Sequence, residues 1–302
     1  MTLTWRGVIP ALMTEMKQNG DLDLDATARH VDSCLRAGCE GFVMLGTLGE
    51  NSSLDLEEKA AVVSAAVKAA SGRVPVIAGV AEYTTKLAIA AASRMKAAGA
   101  TGIMALPTMV YQTDARESIN HFRTLARNVD LPIMIYNNHV AYKVDLKPAD
   151  FTELSSEKNI VAVKESSHDS RRITDMINVL GDRYAIVCGV DDLFLENALF
   201  GATGWVSGLA NSFPREAVQL FKLAKSGRTA EALELYRWFM PLLHLDVATK
   251  LVQYIKLANQ MTGEGSEWVR APRLTLDGEE RKKITAIVQR ALDTRPQLKT
   301  AA

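Results

Sequence analysis

Eight short apolar runs, separated by intervals of helical length and pattern, set the tightest limit on how this chain can fold. They fall at residues 8–13, 41–46, 74–80, 102–107, 132–137, 160–166, 184–189 and 203–208. Such continuous runs read as parallel strands covered on both faces, because a half-exposed strand would alternate apolar with polar residues. The intervals carry helix signals. Leu54-Asp55-Leu56-Glu57-Glu58 opens a helix to about residue 70, and 84–98, 114–127, 147–155, 170–180 and 191–200 read similarly. Small-residue turns such as Ala98-Gly99-Ala100-Thr101-Gly102 lead from helix back to strand. Strand–helix alternation of this length predicts an eight-stranded parallel barrel, the TIM (β/α)8 fold. An open doubly wound sheet would present a glycine-rich phosphate loop after its first strand, and the Gly20 loop offers none. Beyond the eighth run the pattern is helical only, at 214–226, 229–245, 247–261 and 277–292. The expected organisation is a barrel over 1–225 and a C-terminal helical extension over 226–302 packed on it, with a tail that frays from Thr294.

Charge and cysteine content narrow the partners. With 302 residues and 48% hydrophobic content the chain can bury a large core. Lys+Arg and Asp+Glu both number 35, so no basic field points to nucleic acid. No segment has the apolar length of a membrane span. Cys34, Cys39 and Cys188 are too few for a disulfide framework, complete no metal set with a histidine pair, and read as small core residues. The expected protein is cytoplasmic and acts on a small molecule without a metal.

Chemistry concentrates at the sixth run, where Ile160-Val161-Ala162-Val163 leads into Lys164-Glu165-Ser166. A lysine at the end of a buried strand either pairs with Glu165, snorkels out, or loses its charge to desolvation. In the last case the free amine is a nucleophile for carbonyl carbon, as Schiff-base chemistry requires. The C-terminal strand ends of such a barrel also gather Thr47 and Glu50, Tyr136 and Asn137, Gly189, and Ser207 with Gly208. Singly these have plain explanations, Glu50 as a helix-start carboxylate and Tyr136 as a core tyrosine among them. Together they offer an amine, a phenol that can shuttle a proton and a hydroxyl that can relay it.

Gly46-Thr47-Leu48-Gly49-Glu50, Tyr136-Asn137 and Lys164-Glu165-Ser166 resemble the G-T/S-T-G-E, Y-N and K-[DE]-[ST] motifs of the dihydrodipicolinate synthase / N-acetylneuraminate lyase family. The resemblance runs over nearly the whole chain. It implies a barrel with a helical extension, assembled as a homotetramer or homodimer, and an enzyme that needs no cofactor. It implies a Schiff base on Lys164, acid/base work by Tyr136, and Thr47 in the proton relay. By the same likeness Leu48, Gly49, Gly189, Val206, Asn138 and His139 are candidate substrate contacts, with His139 alternatively an exposed loop residue.

The departures bear on the substrate. Leu48 stands where the family usually has a second threonine. Thr108 and Met109 stand where the synthases have two tyrosines, one of which crosses a subunit interface, and Tyr111 falls too late to replace them. Ala141 stands where the synthases place an arginine for the aldehyde substrate's carboxylate. Tyr136-Asn137-Asn138-His139-Val140-Ala141-Tyr142 resembles instead the branch that deaminates 1-pyrroline-4-hydroxy-2-carboxylate. Alternatives are a 2-keto-3-deoxy sugar acid aldolase or dehydratase, dihydrodipicolinate synthesis, and a catalytically silent ligand-binding barrel.

Overall fold

In the computed structural model, which describes residues 5–298, all eight runs become parallel strands of one sheet. They are β1 (Gly7–Pro10), β2 (Phe42–Met44), β3 (Val76–Val80), β4 (Gly102–Ala105), β5 (Ile133–Asn137), β6 (Ile160–Glu165), β7 (Ala185–Cys188) and β8 (Gly204–Ser207). Hydrogen-bonded neighbours run β1-β8-β7-β6-β5-β4-β3-β2. A parallel bridge between Ala11 and Val43, with the Leu12 amide donating to the Val43 carbonyl at 2.8 Å, closes the ring between β1 and β2. The result is the TIM barrel expected from the alternation. Nearly every strand residue is buried, because side chains fill the barrel on one face and helices cover the other.

The helices are α1 (Leu24–Ala37), α2 (Leu56–Ala70), α3 (Thr85–Ala97), α4 (Ala115–Asn128), α5 (His139–Tyr142), α6 (Arg171–Leu180), α7 (Phe194–Leu199) and α8 (Pro214–Lys225). The extension follows as α9 (Thr229–Leu243), α10 (Leu251–Thr262) and α11 (Gly278–Asp293). Two of the expected helices are largely replaced. Over 147–155 there is only a 3-10 turn at Asp150–Leu154, since Pro148 cannot donate within a helix and the Asp150 carboxylate takes the Lys147 amide at 2.7 Å. Over 191–200 a 3-10 turn at Asp191–Leu193 precedes a short α7. The segment expected to be helical from 247 becomes so only at Leu251, and the connection before it reaches the mouth of the barrel. Residues 1–4 and the last four of the tail expected to fray, 299–302, lie outside the description.

Glu50 precedes a 3-10 turn, Asn51–Ser53, but its side chain does not cap it and it does not start α2. Asp55 caps α2 in a reciprocal capping box with Glu58. Glu50 is fully buried, and it binds the extension to the barrel. Lys256 of α10 donates to Glu50 Oε1 at 2.7 Å, the Thr14 carbonyl at 2.8 Å and the Trp268 carbonyl at 2.6 Å. The Arg270 amide donates to Glu50 Oε2 at 3.0 Å. All three ammonium protons of Lys256 therefore have acceptors, which is the condition for burying a charge. Leu242, Ile255 and Val288 of the extension share one continuous core with the barrel. Among the described residues no helix is long and apolar enough to cross a membrane.

Candidate active site

The register of β5 on β6 sets Tyr136 directly beside Lys164, and Asn137 beside Glu165. Successive strand residues face opposite sides, so the two pairs separate. Glu165 turns away from the barrel interior, where its carboxylate accepts from Asn137 Nδ2 at 3.0 Å and the Ser167 amide at 2.8 Å, with Arg172 at 3.6 Å. Lys164 neither pairs with it nor snorkels: it is 6% exposed, and its Nζ lies 4.0 Å from the centroid of the Tyr136 ring. Among the described residues it makes no hydrogen bond or ion pair. Burial lowers its pKa, a shift only partly opposed by the negative charge at Asp246 and Asp191.

Space for this side chain is made by a missing one. A Cβ on Gly189, at the end of β7, would stand 2.7 Å from Lys164 Cε and Cγ and 2.1 Å from Ser166 Oγ. The Gly189 amide is already used in the sheet, donating to the Glu165 carbonyl at 3.0 Å. What Gly189 gives the site is room.

Lys164 opens into a cavity of about 150 Å3 at the C-terminal end of the barrel. Tyr136, Thr47, Leu48, Asn138, Gly189 and Val206 line it together with Lys164, whereas Gly49 and His139 fall outside the lining. The Gly49 carbonyl instead accepts from Thr14 Oγ1 at 2.8 Å, and half-buried His139 faces Asp145 at 4.0 Å. The loop bearing Thr47 is held in an unusual shape, with Leu45 at φ 60° and Glu50 at φ 53°. Such left-handed non-glycine residues persist only where packing enforces them, and here Lys256 and Arg270 hold the second.

Proton carriers surround the amine. Asn138 Oδ1 accepts from the Ala141 amide at 2.9 Å, which orients its Nδ2 as donor to Tyr136 Oη at 3.1 Å. The Tyr136 hydrogen is thereby left to point elsewhere. Burial pushes the Tyr136 phenol up to about 12, with the Asn138 hydrogen bond working against the rise. Tyr136 therefore stays protonated near neutral pH. The Thr47 hydroxyl lies 2.9 Å from Tyr142 Oη, not against Tyr136, and the Tyr142 ring stands edge-on to that of Tyr136 at 5.5 Å. Tyr142 went unassigned in the sequence, although it lies only six residues beyond Tyr136 in the same quoted segment. The signal was there, in a phenol at the far end of a loop whose near end is catalytic by motif.

The extension also enters the site, and nothing in the sequence announced this. Asp246, Val247 and Leu251 line the cavity opposite the strand ends. Burial and the nearby charge of Asp191 push the Asp246 carboxyl well up from its ordinary value. Asp191 itself is fully buried and raised to about 6 by burial, although it accepts from the Leu209 amide (2.7 Å), Trp205 Nε1 (2.9 Å) and Ser207 Oγ (3.1 Å).

Residues 4–291 match the model of the dihydrodipicolinate synthetase family. The chain belongs to this family. It is accordingly an enzyme, a class I lyase of the kind that works through a lysine Schiff base. The 4-hydroxy-tetrahydrodipicolinate synthase of Methanothrix thermoacetophila is 32% identical over 290 residues, covering 96% of this chain and 98% of that protein. The synthase of Aquifex aeolicus is 31% identical over 288 residues, and its crystal structure superposes with a TM-score of 0.89 over 94% of this chain and 97% of its own. YagE of Escherichia coli K12, a prophage protein of the same family solved in complex with pyruvate, is 28% identical with a TM-score of 0.90 over 95% of this chain and 99% of its own. Family members of this class surround the chain at about the same distance, so the cavity lining has to decide among them.

Proposed function

We propose that this lyase is a deaminase of 1-pyrroline-4-hydroxy-2-carboxylate, with Lys164 as its Schiff-base lysine. The observation that carries this reading is the lining at position 141. Ala141 faces the cavity, and Lys164 is the only lysine or arginine among its lining residues. A synthase acting on a carboxylated aldehyde would place a charge-assisted contact there, worth about 1.5–3 kcal/mol. A substrate with a single carboxylate and an otherwise uncharged, hydroxylated body suits this lining better.

The neutral Lys164 amine adds to C2 of the cyclic imine and opens the ring by transimination, leaving a primary amine on C5. Loss of a C3 proton and departure of the C4 hydroxyl as water follow, and Tyr136 is the group placed to carry the proton between them. The C3–H bond, made acidic by the Schiff base at C2, supplies the electron pair that expels the hydroxyl; the phenol oxygen takes that proton as its own hydrogen passes to the leaving hydroxyl. Tyr142, hydrogen-bonded to Thr47 and edge-on to the Tyr136 ring, lines the same cavity. Elimination leaves a C3–C4 double bond beside the C5 amine; a proton shift from C5 to C3 makes this an enamine, which tautomerises to an imine at C5. Two hydrolyses then release ammonia from C5 and free Lys164 from C2, giving 2-oxoglutarate semialdehyde. One water leaves and two enter, so one water is consumed and one ammonia formed.

The test incubates the protein with 1-pyrroline-4-hydroxy-2-carboxylate and follows ammonia, with a semialdehyde dehydrogenase to detect the product. Ammonia release without turnover of 2-keto-3-deoxy sugar acids, or of pyruvate with aspartate semialdehyde, is expected. Turnover of a sugar acid alone would reverse the choice.

A further inference from the structure

Asp246 has no apparent structural reason to be where it is. It lies just past the C-terminal end of α9, where the helix dipole disfavours a carboxylate. It makes no hydrogen bond or ion pair among the described residues; only its backbone amide is engaged, donating to the Leu243 carbonyl at 3.1 Å. The surrounding lining is mostly apolar, with Leu48, Val190, Val206, Val247 and Leu251. An unpaired carboxylate in such a setting is costly and has to be maintained by something outside the fold.

Its position is also built for. A Cβ on Gly208, just beyond β8, would stand 2.0 Å from Asp246 Oδ1, so the absent side chain at 208 lets the carboxylate lie against the strand end. The charged groups around it are Lys164 on β6, Asp191 after β7 and Asp192 beside it. The cavity thus has a lone amine at Lys164 and a lone carboxyl group at Asp246, neither with a hydrogen-bond partner among the described residues.

We propose that Asp246 determines specificity by accepting a hydrogen bond from a hydroxyl or amine at the substrate end remote from the carbon Lys164 captures, and by excluding a second carboxylate there. The inference deepens the deaminase reading and rests on it for the site, though not for the reaction. The hydroxyl at C4, and the amine freed at C5 by ring opening, are donors of this kind. With Ala141 in place of an arginine, a remote carboxylate would find no lysine or arginine in the lining beyond Lys164 and would meet Asp246 instead.

A series of 2-oxo acids differing only at C5 isolates this contact: 2-oxopentanoate, 5-hydroxy-2-oxopentanoate and 2-oxoglutarate. None has a hydroxyl that the enzyme could eliminate. Affinities measured by titration calorimetry, supported by borohydride trapping, are expected to favour the 5-hydroxy acid over 2-oxopentanoate by about 10- to 100-fold, the worth of one charge-assisted hydrogen bond. 2-Oxoglutarate should bind weakest. In Asp246→Asn the preference for the hydroxyl should shrink below about threefold and 2-oxoglutarate should gain, while circular dichroism and a cooperative thermal transition report that the variant is folded. Gly208→Ala, which keeps the charge but displaces it, should shift the order in the same direction. Equal affinities in the wild type, or an order that survives Asp246→Asn, would overturn the proposal. Failure of the deaminase reading looks different: no ammonia from the pyrroline substrate, with the order of the three acids intact.

Discussion

Lys256 and Lys164 are both buried, and they are opposites. Lys256 is fully buried with three acceptors, one of them the Glu50 carboxylate at 2.7 Å. Lys164 is almost as deeply buried, with an aromatic face at 4.0 Å and no hydrogen-bond acceptor among the described residues. The first has an acceptor for every N–H, and it joins the extension to the barrel. The second is pushed toward the free amine, and free amine is what attacks carbonyl and imine carbon. Burial alone does not make a lysine reactive. Burial without partners does.

The contrast can be broken at either end. The largest effect is expected from Lys164→Met, which should remove all turnover and all borohydride-trapped adduct. Its thermal midpoint should stay level or rise, because an ill-solvated amine is replaced by an apolar chain of similar length; calorimetric melting checks this. Next, Tyr136→Phe should lower kcat by about 10²–10⁴-fold with the fold intact, as for loss of a positioned acid/base group. Lys256→Met should behave in the opposite sense to Lys164→Met. It removes the nearest ion-pair partner of the buried Glu50, leaving the Arg270 amide at 3.0 Å and Arg273 at 3.6 Å, and should lose about 3–5 kcal/mol of stability in a denaturant titration, while any folded fraction still forms the adduct.

Smaller effects sharpen the comparison. The pH profile of kcat/KM should rise with pH through a limb set by Lys164. The reactive form is the deprotonated amine, and its pKa is lowered, so that limb lies below the ordinary lysine range. A limb near 10.5 would mean the amine is solvated after all. Tyr142→Phe removes the hydroxyl partner of Thr47 and should reduce kcat several-fold with little change in KM. A fall confined to KM would assign Tyr142 to binding and not to proton movement.

Much of this was legible in the chain. The eight runs gave the barrel, since continuous apolar strands need cover on both faces and the intervals had the length and caps of helices. The motif residues Lys164, Tyr136 and Thr47 were legible because strand ends in a parallel barrel converge. The helical extension's part in the site was not. Lys256 meets Glu50 across 206 residues of sequence, and Asp246 reaches the cavity from the single position left between two segments that read as helix. Periodicity reports a residue's own element, and carries no information on which distant element it meets. Glu50 was misread for that reason: its local surroundings suggested a helix start, while its partner sits on α10. Tyr142 was missed because α5 is a single turn, ended by Lys143 at φ 62°, too short to show a period.

The most direct test of the difference between the two lysines is to reduce the protein with borohydride in the presence of pyruvate and map the modified peptide by mass spectrometry. The expected adduct is single and sits on Lys164, with Lys256 unmodified. An unmodified Lys164, or an adduct on Lys256, would contradict the assignment of reactivity to burial without partners.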